Sequence, residues 1–205
     1  MKGIKITSYG HSCFGIEAQG RKIIIDPYQD QSVPGLPALR LTADDVLCSH
    51  DHFDHNNRAA VTLTGENPWT VFHLQTLTCP HDHHNGTKRG MNTIHILEYD
   101  GIRIAHFGDI GAMLPQEQLT MLTGLDAALI PVGGFYTIDG TEAHELAEKI
   151  APNVIIPMHY RTETEGLTEI SSPEKFLQYY DNIKHYPEHV ITITKETEKQ
   201  VALLR

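Results

Sequence analysis

Seven consecutive residues, Ser49-His50-Asp51-His52-Phe53-Asp54-His55, limit what this chain can become more than any other stretch of it. Their ligand-capable skeleton is His-x-His-x-Asp-His. Side chains two apart on an extended segment project to the same side, so His50 and His52 can close on one cation. A turn into helix after them sends Asp54 and His55 in another direction, toward a second cation. That geometry suits a pair of metal ions roughly 3.5–4 Å apart. A solvated polar loop needs no such spacing, and a structural zinc knuckle would lean on cysteine thiolates instead. One loop cannot complete two coordination shells, so the fold must bring further ligands to it.

Histidine is also over-represented, with 14 in 205 residues, about three times average usage. It is the commonest side-chain metal ligand and the usual proton carrier near neutral pH. The remaining composition, 40% apolar and 20% charged, is that of an ordinary globular protein, and the length suits one domain over residues 1–205. Sixteen Lys plus Arg against 26 Asp plus Glu leave a net charge of -10. Such a surface repels phosphate backbones, so a nucleic-acid partner is not expected. No apolar run approaches the roughly 18 residues that cross a bilayer. The opening Met1-Lys2-Gly3-Ile4-Lys5 reads as an early strand and lacks the apolar core of an export signal. Cys13, Cys48 and Cys79 cannot pair off evenly, which points to a reducing, cytoplasmic setting.

Patterning predicts strands at Ile4–Tyr9, Cys13–Ala18, Lys22–Asp26, Val46–Ser49, Thr70–Leu74, Asn92–Tyr99, Ile102–Phe107, Ala127–Val132, Val154–Pro157, His189–Thr194 and Gln200–Leu204. Gly20-Arg21 and Asp100-Gly101 mark hairpins. Thr141–Ala151 carries Ala143, Leu146, Ala147 and Ile150 at helical spacing, with Asp139 as cap and Glu142 three residues on. Pro115–Thr123, Pro173–Ile183 and the shorter Asn56–Leu63 are further helix candidates, and Tyr28–Leu41 reads as an irregular loop. Regular βαβ alternation is absent, so a plain doubly wound sheet is not expected.

Additional ligand candidates recur at strand ends: His81 in His81-Asp82-His83-His84, Asp109 in Gly108-Asp109-Ile110-Gly111, and His159 in Pro157-Met158-His159-Tyr160. Glycine beside an aspartate lets backbone and ligand approach closely. The order His50-x-His52-x-Asp54-His55, His81, Asp109, His159 resembles the metallo-β-lactamase-fold hydrolases. Gly10-His11-Ser12-Cys13-Phe14, Ile25-Asp26-Pro27, Arg89-Gly90-x-Asn92-Thr93, His106-Phe107-Gly108-Asp109 and Pro131-Val132-Gly133-Gly134 are similar to the stand-alone branch that includes ascorbate-6-phosphate lactonase-like proteins. The resemblance covers nearly the whole chain. It implies an α+β fold, a four-layer αβ/βα sandwich of two mixed sheets with outer helices, and metals at one edge of the sheets. It also implies that His50, His52 and His81 hold one metal, that Asp54, His55 and His159 hold the other, and that Asp109 bridges. His83 and His84 compete with His81 for its role.

Two divalent cations, zinc foremost with manganese, iron or nickel as alternatives, would ionise bound water near pH 7. With Asp54, Asp109 and one hydroxide the local charge is about +1, which favours a small anionic ester, lactone, amide or phosphoester. Asp109 would steer the hydroxide. His11 either acts on the leaving group, orients substrate, or is a hydrogen-bonded turn residue. Asp26 either fixes a ligand imidazole or ends a strand before Pro27. Tyr136 lines the pocket or simply packs, and Arg161 and Arg89 clamp an anion or stay solvated. His106 stands near Asp109, and the other histidines read as surface or packing residues. Fold alone does not fix the reaction. A phosphodiesterase, an iron site for oxygen or sulfur chemistry, and a binding scaffold without turnover are the competing readings.

Overall fold

The computed structural model describes residues 2–204; Met1, in the opening segment, lies outside them. In chain order the elements are β1 (Ile4–Ser8), β2 (Phe14–Ala18), β3 (Arg21–Ile25), β4 (Leu41–Ala43), β5 (Asp45–Leu47), β6 (Val61–Leu63), β7 (His73–Pro80), β8 (Met91–Tyr99), β9 (Ile102–His106), α1 (Gln116–Met121), β10 (Ala127–Pro131), α2 (Gly140–Ile150), β11 (Val154–Met158), α3 (Glu174–Leu177), β12 (Ile183–His185), β13 (Val190–Ile193) and β14 (Gln200–Leu203). Five strands form one sheet in the order β13-β1-β2-β3-β5, and seven form another in the order β12-β14-β11-β10-β9-β8-β7.

Period-two alternation decides how the sheets face each other. Ile4 and Ile6, Ile16, Ile23 and Ile25, and Ile191 and Ile193 turn one face of the smaller sheet inward. They meet Leu97, Ile104, Leu129, Ile156 and Met158 from the larger sheet. Each such side chain stabilises the fold by roughly 1.5–3 kcal/mol when fully buried. The alternate residues of the large sheet, among them Ile94, Ile96, Ala128 and Ile130, pack outward against Leu119, Leu146, Ile150 and Phe176 of the three helices. Strands β10 and β11 are therefore buried on both faces, which is why they read as continuous apolar runs. The outer face of the smaller sheet is covered by Tyr28, Val33 and Leu39 of the 27–40 loop and by the parallel β4–β6 pair. The result is an α+β sandwich of two mixed sheets.

Three expectations need correcting. Pro68–Thr70 forms a 3-10 turn, and the strand expected at Thr70–Leu74 begins at His73 and runs to Pro80. Being an edge strand paired only with β8, it exposes half of its residues and carries little apolar signal. Asn56–Leu63 is not a helix; Arg58–Ala60 makes one 3-10 turn, and Val61–Leu63 pairs with β4. The helix opened by Pro173 stops at Leu177, because Ile183 is taken into the large sheet beside Val201. The helix α2 forms as expected: Asp139 accepts from the backbone N–H of Thr141 and Glu142, and Glu142 accepts from the N–H of Asp139.

Topology gathers the strand ends. Strands β9, β10 and β11 are parallel, and β7 is antiparallel to β8, which is antiparallel to β9. Hence the C-terminal ends of β7, β9, β10 and β11 fall on one rim. By the same pairing logic so do those of β1, β3 and β5 in the other sheet. The segments expected to carry ligands all leave from these ends.

Candidate metal centre

The carboxylate of Asp109 stands at the middle of this rim. Its Oδ2 is 3.2 Å from His55 Nε2, 3.2 Å from His159 Nε2, 3.5 Å from His81 Nε2 and 3.9 Å from His50 Nε2. Around it the ligand atoms fall into overlapping groups, each within 4.8 Å of one another: His50, His52 and His81; His50, His55 and Asp109; and His11, Asp54, His55 and His159. Four of these atoms, His50 Nε2, His55 Nε2, His159 Nε2 and Asp109 Oδ1, are buried without a hydrogen-bond partner among the described residues. Each orphaned buried polar group costs roughly 1–3 kcal/mol. Lone pairs concentrated in this way are what a divalent cation satisfies, so the donor set fits metal.

Burial sets the protonation that such binding needs. It draws His11 down to about 4 and His50 down to about 3, and it lowers His81 as well. These imidazoles are neutral at pH 7, with a nitrogen lone pair to give. His55 goes the other way. Burial would lower it, but Asp109 and Asp26 outweigh that and raise it well above its ordinary value. Burial would likewise raise Asp109, yet the imidazoles of His159 and His55 hold its carboxyl well below the usual range.

Asp26 explains how the imidazoles are aimed. It is wholly buried, with φ +51, and accepts from Ser49 N and Ser49 Oγ at 2.6 Å and from His55 Nδ1 at 2.8 Å. Since the Ser49 hydroxyl donates to Asp26, His50 Nδ1, 2.9 Å from that oxygen, must donate to it. Both rings therefore turn Nε2 toward the centre. Asn92 does similar work on the backbone, accepting from Asp109 N through Oδ1 and donating to the Phe107 carbonyl. At Gly111 a β-carbon would lie 2.2 Å from Asp82 N, so only glycine lets the Asp109 turn approach the His81 segment.

A sequence-family model described as a beta-lactamase superfamily domain matches residues 5–159. The chain belongs to the beta-lactamase superfamily. It is 30% identical over 196 residues to a UPF0173 metal-dependent hydrolase of Pelotomaculum thermopropionicum, covering 78% of this chain and 85% of that one. A relative of the same description from Thermoplasma acidophilum is 28% identical over 193 residues, covering 79% and 85%. Among solved structures, a metallo-beta-lactamase superfamily protein of Thermotoga maritima superposes with a TM-score of 0.72 at 29% identity, covering 98% of each chain. An isothiocyanate hydrolase from Delia radicum gut bacteria shares the fold at 13% identity and a TM-score of 0.63, covering 85% of this chain and 91% of that one. The protein is a metal-dependent hydrolase of the metallo-β-lactamase superfamily.

Around this cluster the other candidates divide. His81 joins the cluster, whereas His83 and His84 are exposed and His83 lies 3.7 Å from Glu142. His11 Nε2 stands 3.2 Å from Asp54 Oδ2, with its ring 4.1 Å from that of His159. The Arg89 guanidinium lies 5.0 Å over the Tyr136 ring. Burial raises the Tyr136 phenol, with Glu169 and Asp54 adding to the effect and Arg89 opposing it. Arg161 is exposed along a surface hollow shared with Glu163, Glu165 and Glu174. His106 Nε2 donates to the Ser12 carbonyl at 2.9 Å.

Sequence reasoning missed Asp82. Its buried carboxylate accepts from the backbone N–H of His84, Gly86, Lys88 and Arg89, folding the loop between His81 and Arg89 around itself. Its only signal was position, one residue after a ligand candidate. Asp82→Ala is expected to strip amide hydrogen-exchange protection from residues 84–89 and to weaken cation affinity about tenfold through His81. Unchanged protection in that loop would refute the role.

No helix among the described residues is long and apolar enough to cross a membrane.

Proposed function

We propose that the chain hydrolyses a small anionic ester, lactone, amide or phosphoester at a two-cation centre. In this reading His50, His52 and His81 hold one cation, and Asp54, His55 and His159 the other. Asp109, whose Oδ2 lies 3.2–3.9 Å from nitrogens of both sets, carries the reading by joining them. What a cation pair supplies when bound is ionised water near neutral pH and polarisation of the scissile bond. Asp109 would also orient the attacking oxygen by accepting a hydrogen bond from it. His11, neutral at pH 7, donates from Nε2 to Asp54 Oδ2 and holds that carboxylate toward the second set. Arg89, steadied over Tyr136, faces the anionic group of the substrate. Cys13, Cys48 and Cys79 all stand as free thiols, which supports a cytoplasmic protein.

Elemental analysis of the purified protein should give two equivalents of divalent cation per chain. Reconstitution with zinc, manganese, iron or nickel should then give turnover on a panel of esters, lactones, amides and phosphodiesters. Saturation at one equivalent refutes the pair, and a panel without turnover in any metal form refutes hydrolysis.

Loading should also release protons. His55 is raised, so the metal-free protein carries it protonated at pH 7, and cation binding at Nε2 expels that proton. About one proton per chain is expected in weakly buffered solution at pH 7, with affinity falling as the pH is lowered. Silent loading would remove His55 from the ligand set.

A further inference from the structure

The turn at residues 9–13 joins β1 to β2 on the rim and is bonded to two segments of the large sheet that carry ligand candidates. Its His11 carbonyl accepts from His159 N at 3.2 Å. One residue on, the Ser12 carbonyl accepts from His106 Nε2 at 2.9 Å. His11 itself stands at φ +53, a left-handed backbone that its surroundings must hold in place. Its ring carries the contact to Asp54 Oδ2. Where this turn sits therefore decides how His11 and Asp54 stand against Asp109 and His159.

His106 is buried at the end of β9, and both of its ring nitrogens are engaged. A carbonyl can only accept, so the bond to Ser12 puts the ring proton on Nε2 and leaves Nδ1 an acceptor. Gly108 N donates to that Nδ1 at 3.2 Å. Asp26 Oδ2, at 4.0 Å from Nδ1, is beyond hydrogen-bond reach, so His106 works apart from the carboxylate that aims His55. Gly108 opens the turn that presents Asp109, and it has no slack. It stands at φ +53, where a β-carbon would lie 2.3 Å from Asn92 Oδ1 and 2.4 Å from Ser49 Cβ. Asn92 holds the Asp109 amide from within the large sheet, and His106 reaches from the same turn across to the small one.

We propose that His106 is a positioning residue, a neutral clip between the two sheets that sets where the Asp109 carboxylate stands against His11 and His159. It holds the Asp109 turn through its acceptor nitrogen and the His11 turn through its donor nitrogen. Apolar packing alone would ask only for a ring of this size, such as the neighbouring Phe14, whose centroid is 5.8 Å from that of His106. The proposal deepens the proposed function and rests on it for Asp109 as a cation ligand. Cation affinity and imidazole protonation are both read without turnover, so the two can fail separately.

The test is zinc titration calorimetry on the full chain, with imidazole NMR of nitrogen-labelled protein beside it. In the metal-free wild type, the long-range nitrogen–proton spectrum should show His106 protonated at Nε2 alone. His106→Phe keeps a ring and deletes both hydrogen bonds, so zinc affinity should fall about 10–100-fold. His106→Gln again offers one donor and one acceptor, and should restore affinity to within about threefold of wild type. Should His106→Phe not fold, His106→Asn replaces it. Its shorter side chain can meet the Gly108 N–H but not the Ser12 carbonyl, and affinity should fall at least about tenfold. Ile193→Val separates positioning from stability. It trims the core where β13 pairs with Ile4, at the end of β1 away from the rim, and should lower the melting temperature without changing zinc affinity. A ring protonated at Nδ1, wild-type affinity in the Phe or Asn variant, or a Gln variant as weak as either would each overturn the proposal. So would zinc affinity that falls with melting temperature in Ile193→Val. One equivalent of zinc in every variant refutes the cation pair instead, and leaves the order of affinities to decide the role of His106.

Discussion

Asp109→Ala should lower cation affinity by more than about 100-fold, beyond the 10–100-fold seen when a residue supporting a metal ligand is lost, and turnover should fall with it. The reason is geometric. Asp109 Oδ2 is within 3.9 Å of nitrogens on His50, His55, His81 and His159, so in the proposed two-cation centre its removal would take a ligand shared by both halves. It also removes the negative charge that, with Asp26, holds His55 above its ordinary value. Asp109→Asn separates the two contributions, since it keeps the volume and the backbone hydrogen bond to Asn92 while deleting the charge. Titration calorimetry with zinc on both variants, alongside elemental analysis after dialysis, measures the loss. Full loading with undiminished turnover in Asp109→Ala would remove the residue from the mechanism.

Much of this centre was legible because its parts obey local rules. His50 and His52 are two apart, and Asp109 and His159 each follow a run of apolar residues that only a buried strand explains. The strands buried on both faces announced themselves for the same reason. Three edge elements did not: β7, β6 and β12 each pair on one side only and present few buried residues, so little alternation marks them. Asp26 was ambiguous for a different cause. A strand-end aspartate before Pro27 looks the same whether or not it supports a ligand, and its partners Ser49 and His55 lie 23 and 29 residues away. Asp82 was invisible because backbone N–H groups leave no trace in a sequence. The choice among His81, His83 and His84 likewise waits on which side of a turn faces the rim, since all three share one short polar run.

Asp26→Ala carries the largest expected effect on stability. The wild-type carboxylate accepts three hydrogen bonds inside a fully buried site, two from Ser49 and one from His55. Deleting one partner of a buried ion pair costs about 3–5 kcal/mol, and here the left-handed φ of +51 adds to the strain on an alanine. Cation affinity should fall 10–100-fold as well, because the rings of His55 and, through Ser49, His50 lose the contacts that fix them. The pH dependence gives an independent check on the metal-free protein. Burial would raise Asp26, but His55 and Ser49 hold it below its ordinary value, so its contribution is complete above about pH 4 and is lost as the pH falls through the depressed value. His55 is raised, so its contribution is complete below about pH 6.5 and is lost as the pH climbs through the elevated value. The pair therefore stabilises the metal-free fold most between about pH 4 and 6.5. Thermal melts across that range should show a maximum that flattens in Asp26→Ala, and a maximum that survives the substitution would mean that the pair does not govern stability.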